Sequence, residues 1–423
     1  MYKIKPWLFV VLLITIPFTI IAQNSTNSPY TRFGYGALPD HSFASQRAMG
    51  GIGIGLRNPQ MINTLNPASF SSVDSMTFMF DLGVMGQSVW YDDENNSSNK
   101  INANLDYLAM QFPLYKSLGM GIGLAPVSFT EYKYGETQKL NTVNNDARIS
   151  YYGTGGLSKV YGTLSYAIAD RVSLGVNVGC LFGKISDYRL VEFNDYTNYW
   201  QQWADTLRMS GLVYEFGLQY VQPVGKNKSL VLGATYAPKT RVHGSVTEGI
   251  LKIDPSSGYI VAQDKYAKHS PRFEMPETFG VGVSFSDKDH YTIGVDAQYK
   301  LWEDAKFYGV TDSLSNQLKI NLGGEFIPNS KSNSFFKRVR YRAGGYYTNS
   351  YVTTGTGSGY DEYGISAGFG FPISDKRSFL NLTFSYTAVR PEVKNIGMVD
   401  EQYFKITLSY TFNELWFFKR KIQ

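Results

Sequence analysis

The sequence predicts an all-β membrane protein: a 14-stranded antiparallel transmembrane β-barrel with an N-terminal segment plugging its lumen. Three observations lead there. Apolar and polar residues alternate with a period of two through most of the chain. Tight turns and long polar connections alternate along it, as in outer-membrane barrels. The composition is rich in tyrosine and glycine (32 Tyr, 41 Gly), and only the extreme N-terminus is apolar enough to suggest a helix in a membrane. A barrel shows lipid only every second residue of each strand, so its mean hydropathy stays low, here −0.22.

The chain opens "MYKIKPWLFVVLLITIPFTIIAQ". Lys3 and Lys5 precede an apolar run from Trp7 to Ile21, and Ala22 offers a small residue at a cleavage point. This pattern predicts a signal peptide over 1–22; the run is short for a bilayer span. With Lys3 and Lys5 removed, the formal net charge falls from +5 to +3. That is too weak to point to nucleic acid. The single cysteine, Cys180, has no internal disulfide partner and sits in the alternating stretch "SLGVNVGCLFG" as a small wall residue.

Residues 23–72 do not alternate. They are rich in Gly, Pro, Asn and Ser, yet Met49, Ile52, Ile54, Met61, Ile62 and Leu65 call for burial. A compact segment of this kind ahead of a barrel fits a plug inside the lumen. Its centre, "MGGIGIGLRNPQMINTLNPAS" (49–69), raises the question of a phosphate cradle. The spacing argues against one: after Gly51 and Gly53 the third glycine of G-x-G-x-x-G is missing, and no βαβ unit surrounds it.

Fourteen strands are expected at roughly 75–91, 103–113, 118–132, 150–169, 171–191, 205–222, 228–246, 275–286, 289–303, 318–327, 337–350, 361–372, 377–390 and 402–412. The last shows the pattern best. Phe404, Ile406, Leu408, Tyr410 and Phe412 share one face, suited to lipid, and Lys405, Thr407, Ser409 and Thr411 share the other. "YKS", "AD", "SDK" and "ISDK" read as tight turns. The stretches 92–100, 135–148, 194–205 and 247–274 read as long polar loops. The barrel is thus expected over 73–412. Beyond it, 413–423 forms an aromatic and basic tail, with Trp416, Phe417 and Phe418 beside Lys419, Arg420 and Lys421 as an interfacial anchor.

At these residues the sequence resembles the FadL/TodX-type family of outer-membrane transport proteins, which also includes PorV-like barrels. The resemblance begins at "QRAMGGIGIGL" (46–56), continues in "LNPAS", where Asn66, Pro67 and Ala68 match the family's Asn-Pro-Ala hatch motif, and extends over the fourteen strands. It implies that 23–72 is a hatch and that the protein lies in the outer membrane of a Gram-negative bacterium. Gly50, Gly51, Gly53 and Gly55 then let backbone pack closely in a crowded lumen. Pro67 fixes a turn, and Asn66 bonds nearby backbone. The family also has an inward kink in the third strand. Here Pro126 lies in that strand and lacks the N–H a ladder needs, so a lateral opening is expected beside Pro126, Val127 and Phe129. Pro238 in the seventh strand marks a second bend.

No enzyme is expected. "GISAG" (364–368) has the letters of a nucleophile elbow, but Ser366 lies inside an alternating strand and no helix follows. His41, His243, His269 and His290 are scattered without metal-ligand spacing. His269 falls in the longest expected loop. No metal or other cofactor is implied, although the pair Asp361 and Glu362 leaves a loop calcium site open.

Two functions remain. In the first, a hydrophobic small molecule, such as a long-chain fatty acid, binds the outer loops and leaves sideways into membrane lipid after a hatch movement. In the second, a non-transporting barrel serves as a subunit of a secretion or assembly complex and docks an outer-membrane or periplasmic protein. Trp200 and Trp203 in the 194–205 loop would contact either a ligand or a partner, because aromatics dominate binding hot spots. A continuous apolar tunnel favours transport; a blocked, polar lumen favours the complex.

Overall fold

The computed structural model describes residues 28–93, 96–139, 146–169, 171–194, 198–287, 290–311, 314–353, 358–373, 377–393 and 399–415. The expected signal peptide and most of the tail, from Trp416 onward, lie outside them.

The described residues form one antiparallel sheet of seventeen strand segments, closed by pairing of its first segment with its last. These segments make fourteen barrel strands. The first six are β1 (Thr77–Asp93), β2 (Asn96–Tyr115), β3 (Leu118–Lys139), β4 (Asp146–Ile168), β5 (Val172–Phe193) and β6 (Trp200–Pro223). β7 is broken at Pro238 into Lys228–Ala237 and Thr240–Ile253; the two halves pair with successive parts of β6. β8 comprises Ile260–His269, Phe273–Met275 and Glu277–Asp287, all paired with β7. The rest are β9 (Tyr291–Leu301), β10 (Gln317–Phe326), β11 (Arg340–Asn349), β12 (Tyr360–Pro372), β13 (Phe379–Pro391) and β14 (Asp400–Leu415).

The alternation read from the sequence sets the two faces. On β14, Phe404, Ile406, Leu408 and Tyr410 are exposed, while Thr407, Ser409 and Thr411 are buried in the lumen. An outward apolar band of Val84, Leu105, Ile122, Leu164, Phe216 and Ile293 continues round the barrel.

Three of the four stretches read as loops are mostly strand. β1 and β2 leave only two residues between them, β3 runs to Lys139 and β4 starts at Asp146, and β7 and β8 occupy most of 247–274. His269 therefore sits on β8, with Nε2 3.5 Å from the Glu248 carboxylate of β7. Trp200 and Trp203 likewise belong to β6 rather than to a loop. The misreading has a physical origin. Strands that rise beyond the bilayer lose their apolar face and acquire loop-like composition. β6 has 24 residues and β10 has 10. At about 3.3 Å per residue and about 40° of tilt they span roughly 60 and 25 Å, against an apolar band of about 25 Å. One side of the barrel, β2 to β8, therefore stands well above the other.

Candidate functional site: the hatch and its seat in the barrel wall

The segment from Ser28 to Val73 lies inside the barrel. It starts near the loop end, where the Ser28 hydroxyl donates to the Glu401 carboxylate at 2.6 Å and the Tyr30 hydroxyl donates to the Val399 carbonyl at 2.8 Å. It then descends toward the turn end through two short helices, Ala44–Arg47 and Pro67–Ser72.

The glycine-rich run does cradle an anion, and that anion belongs to the protein. The Asp296 carboxylate on β9 accepts from the backbone N–H of Gly53 at 2.5 Å, Ile54 at 2.7 Å and Gly55 at 3.3 Å. Successive N–H groups converging on one anion form a backbone nest. Other wall residues satisfy the remaining polar groups of the run. Gln219 on β6 donates to the carbonyls of Ile54 and Leu56, both at 3.1 Å. Asn321 on β10 donates to Gly51 at 3.2 Å and Ser284 on β8 to Gly55 at 2.7 Å. The Ser366 hydroxyl on β12 accepts from the Gly50 N–H at 3.0 Å, which gives this serine a structural place. Gln219, Gly233, Gly282, Asp296 and Asn321 are successive cross-strand neighbours, so the seat is one row running across five strands.

Close approach is the second feature of the seat. A Cβ on Gly233 would meet the Ile54 carbonyl oxygen, and one on Gly323 the Met49 carbonyl oxygen. A Cβ on Gly344 would meet the Gly50 nitrogen, and one on Gly175 the Pro67 backbone. Within the hatch, Gly50 and Gly51 have φ of 67° and 83°, the left-handed region where glycine is favoured.

The Asn-Pro-Ala turn anchors the lower edge. Asn66 Oδ1 accepts from the Ala68 N–H at 3.0 Å, capping the helix that Pro67 opens. Asn66 Nδ2 donates to the Ile54 carbonyl at 2.9 Å and to the Leu218 carbonyl on β6 at 3.1 Å. One buried side chain thus ties the turn, the glycine run and the wall. Arg47 adds a buried ion pair, with Nη1 2.7 Å from the Asp106 carboxylate on β2.

Between hatch and wall lies a cavity of about 210 Å³. Asp40, His41, Lys159, Glu215, Lys300 and Lys319 line it, and Lys319 Nζ is 3.3 Å from Asp40. Burial pushes the Asp40 carboxyl up, but Lys319 and Arg47 more than offset this and hold it well below the usual carboxylate range. His41 is pushed well below its usual value by burial and by Lys159 and Lys300. Toward the loop end an aromatic cluster packs inside the lumen. Tyr35 packs on Trp302 at 5.7 Å, and Trp302 on Tyr351 at 4.8 Å between ring centres, with Leu314 and Val352 buried beside them.

Pro126 and Val127 lie at a bulge. Pro126 pairs with Ser158 and Ser128 with Leu157, leaving Val127 as the extra residue. Beyond it Ser128, Phe129 and Thr130 are all buried, which breaks the alternation and marks an inward bend. The ladder between β2 and β3 runs only from Leu108–Leu124 down to Tyr115–Leu118. Above that point the hatch segment pairs with β3: Ala37 and Phe129 exchange two backbone bonds at 2.8 and 2.9 Å. Trp200 and Trp203 are not brought to this bend or to the glycine seat. Trp203 packs under Arg189, 5.1 Å from the guanidinium to the ring centre, on the raised wall. Asp361 and Glu362 accept from Tyr347 and Tyr346, and no cluster of metal-ligating residues occurs among the described residues.

The wall residues of the seat were not singled out in the sequence. The available signal was weak: Asp296 in "YTIGVDAQYK" is the one carboxylate on a lumen-facing register that also holds Thr292, Gly294, Gln298 and Lys300.

Comparison with known proteins gives the fold and a family. The monoaromatic hydrocarbon channel CymD superposes with a TM-score of 0.56 at 14% identity, over 90% of this chain and 98% of that one. The toluene transporter TodX of P. putida gives 0.56 at 15% identity, over 91% and 99%. A FadL homologue of Pseudomonas aeruginosa gives 0.55 at 14% identity, over 88% and 98%. The chain therefore has the 14-stranded FadL-like outer-membrane barrel fold. The family model described as BamG matches residues 3–423. No curated protein matches the sequence.

Proposed function

From the premise that this chain belongs to the BamG family, we propose that it is a non-transporting FadL-like barrel and a subunit of an outer-membrane assembly complex in a Gram-negative bacterium. The family name points to the Bam machinery as that complex. The observation that carries this reading is the lumen. An alkyl chain binds by burying methylenes, about 0.8 kcal/mol each. The cavity carries Asp40, His41, Lys159, Glu215, Lys300 and Lys319 among apolar residues such as Leu38, Leu65, Met85 and Phe129, so an alkyl chain in it would lie against several charged groups. The aromatic cluster around Trp302 fills part of the lumen toward the loop end, and the wall row holds the hatch below. In this reading the hatch is a fixed filling that makes the barrel a solid block for partners in the membrane.

Purification under mild conditions from native membranes, followed by mass spectrometry, tests this. The expected result is stoichiometric outer-membrane proteins and no hydrophobic ligand. A bound fatty acid or aromatic hydrocarbon without stoichiometric protein refutes it.

A second reading keeps hydrophobic transport, with lateral release beside Pro126, Val127 and Phe129. It is favoured by the bulge at Val127 and by the short β2–β3 ladder. Uptake of a radiolabelled fatty acid in cells with and without the protein tests it; equal uptake rules it out.

A further inference from the structure

The seam between β2 and β3 has two edges, and they are treated differently. The β3 edge is met by the chain's own hatch segment at Phe129 and Glu131. Ala37 bridges to Phe129, and the Thr31 hydroxyl donates to the Glu131 carbonyl at 3.1 Å while accepting from the Glu131 N–H at 3.2 Å. Among the described residues, the β2 edge has no such cover between Ser97 and Ile101. There β1 pairs along one side, Ser97 with Asp92 through Ile101 with Ser88, and the ladder to β3 does not extend this far.

Two irregularities at the same level part the two strands. On β3 Val127 is the extra residue of a bulge. On β2 the register to β1 shifts so that Asp106 has no partner, and Arg47 of the hatch holds it by the buried ion pair. Bulges bend strands and end pairing. The two strands diverge from here to the loop end.

We infer that the β2 edge from Ser97 to Ile101 is a strand-docking site for an extended segment of a partner protein. This rests on the complex-subunit reading. Three observations point to an extended chain. An unpaired strand edge presents a row of backbone donors and acceptors that another strand satisfies. The seam already accepts one backbone bridge, the protein's own Ala37 against Phe129. Beside the bare edge Ile101 is 80% exposed and Leu105 is 42% exposed, on the outward face. The partner segment fitting this edge alternates. Its outward residues are apolar, to lie beside Ile101 and Leu105, and its inward residues are polar.

The test uses the full-length protein in native outer membranes, with a benzophenone amino acid replacing Ile101 or, separately, Asn99. Both positions face outward, so the barrel folds around the probe, and heat-modifiable mobility on gels verifies this. A third probe at Ile293 on β9, which is 55% exposed, is the control. The expected result is a protein adduct at Ile101 and Asn99, absent at Ile293. Mapping of the linked peptides then shows the same alternating segment, offset by two residues between the two probes. Ile101→Asp, which puts a charge on the edge, removes the adduct at Asn99. Lipid adducts alone, adducts to this chain's own β3, an equal protein adduct at Ile293, or two unrelated peptides overturn the inference. If any of these is found while co-purified partners persist, the complex-subunit reading stands and only the docking edge is wrong. If no partner co-purifies, both fall.

Discussion

Removing the Asp296 carboxylate is the sharpest perturbation of the hatch seat. Three backbone N–H groups converge on it, at 2.5, 2.7 and 3.3 Å, and the residue is 2% exposed. A hydrogen bond to a charged group contributes about 1.5–3 kcal/mol, and a buried donor left unsatisfied costs about 1–3 kcal/mol. The longest bond counts least. The desolvation of a buried carboxylate, relieved on its removal, offsets part of the sum. Asp296→Ala is therefore expected to weaken hatch docking by about 3–6 kcal/mol, and Asp296→Asn, which keeps an acceptor oxygen, by about 1–3 kcal/mol. Amide hydrogen exchange of residues 49–56 in the detergent-solubilised barrel measures this directly. A tenfold change per about 1.4 kcal/mol means protection falls by roughly two to four decades in the alanine variant. Gly50 exchange reports on the neighbouring anchor at Ser366 and separates local from collective release. Unchanged protection over 53–55 in Asp296→Ala would refute the view that the nest fixes the hatch.

Other predictions follow from neighbouring contacts. Asp106→Ala leaves Arg47 buried without its carboxylate and is expected to destabilise the hatch by about 3–5 kcal/mol, read as earlier proteolysis within 40–57. Gly233→Ala puts a methyl on the Ile54 carbonyl oxygen; overpacking predicts a loss of about 1–3 kcal/mol in heat-induced unfolding, whereas Gly162→Ala, with open space around it, changes nothing. His41 has a folded pKa well below its usual 6.5, through burial and the nearby Lys159, Lys300 and Lys319, opposed by Asp40. Its unfolded form binds protons first as pH falls, so its contribution is complete above pH 6.5 and declines progressively below it. Exchange of 38–45, corrected for intrinsic rates, should speed up between pH 7.5 and 5.5, and His41→Gln should flatten that dependence.

The barrel was legible because each membrane-crossing strand must satisfy two solvents at once, and period-two alternation records that demand. The fourteen strands are all present. Their upper ends were not legible, since above the bilayer both faces meet water and the signal vanishes; hence Trp200, Trp203 and His269 were read as loop residues and lie on β6 and β8. The glycine run was legible as close-packed backbone. What it packs against was not. Asp296, Gln219 and Asn321 come from strands 163 to 270 residues away from their hatch partners, and no local pattern links them. Pro126 lies at the bulge in β3, but the paired irregularity at Asp106 on β2 leaves no trace that a glycine or proline would leave.

The row of wall glycines has a consequence for how the barrel is made. In a sheet, a slip of one residue turns every side chain to the other face. At Gly175 and Gly233, flanked by Leu174 and Val176 and by Leu232 and Ala234, such a slip would drive a side chain into hatch backbone that leaves no room for a methyl. The hatch therefore acts as a gauge. A strand that joins out of register cannot close over it, and strands that join correctly are checked one after another by the same run of peptide. A plug held this way is a mould for the wall that surrounds it.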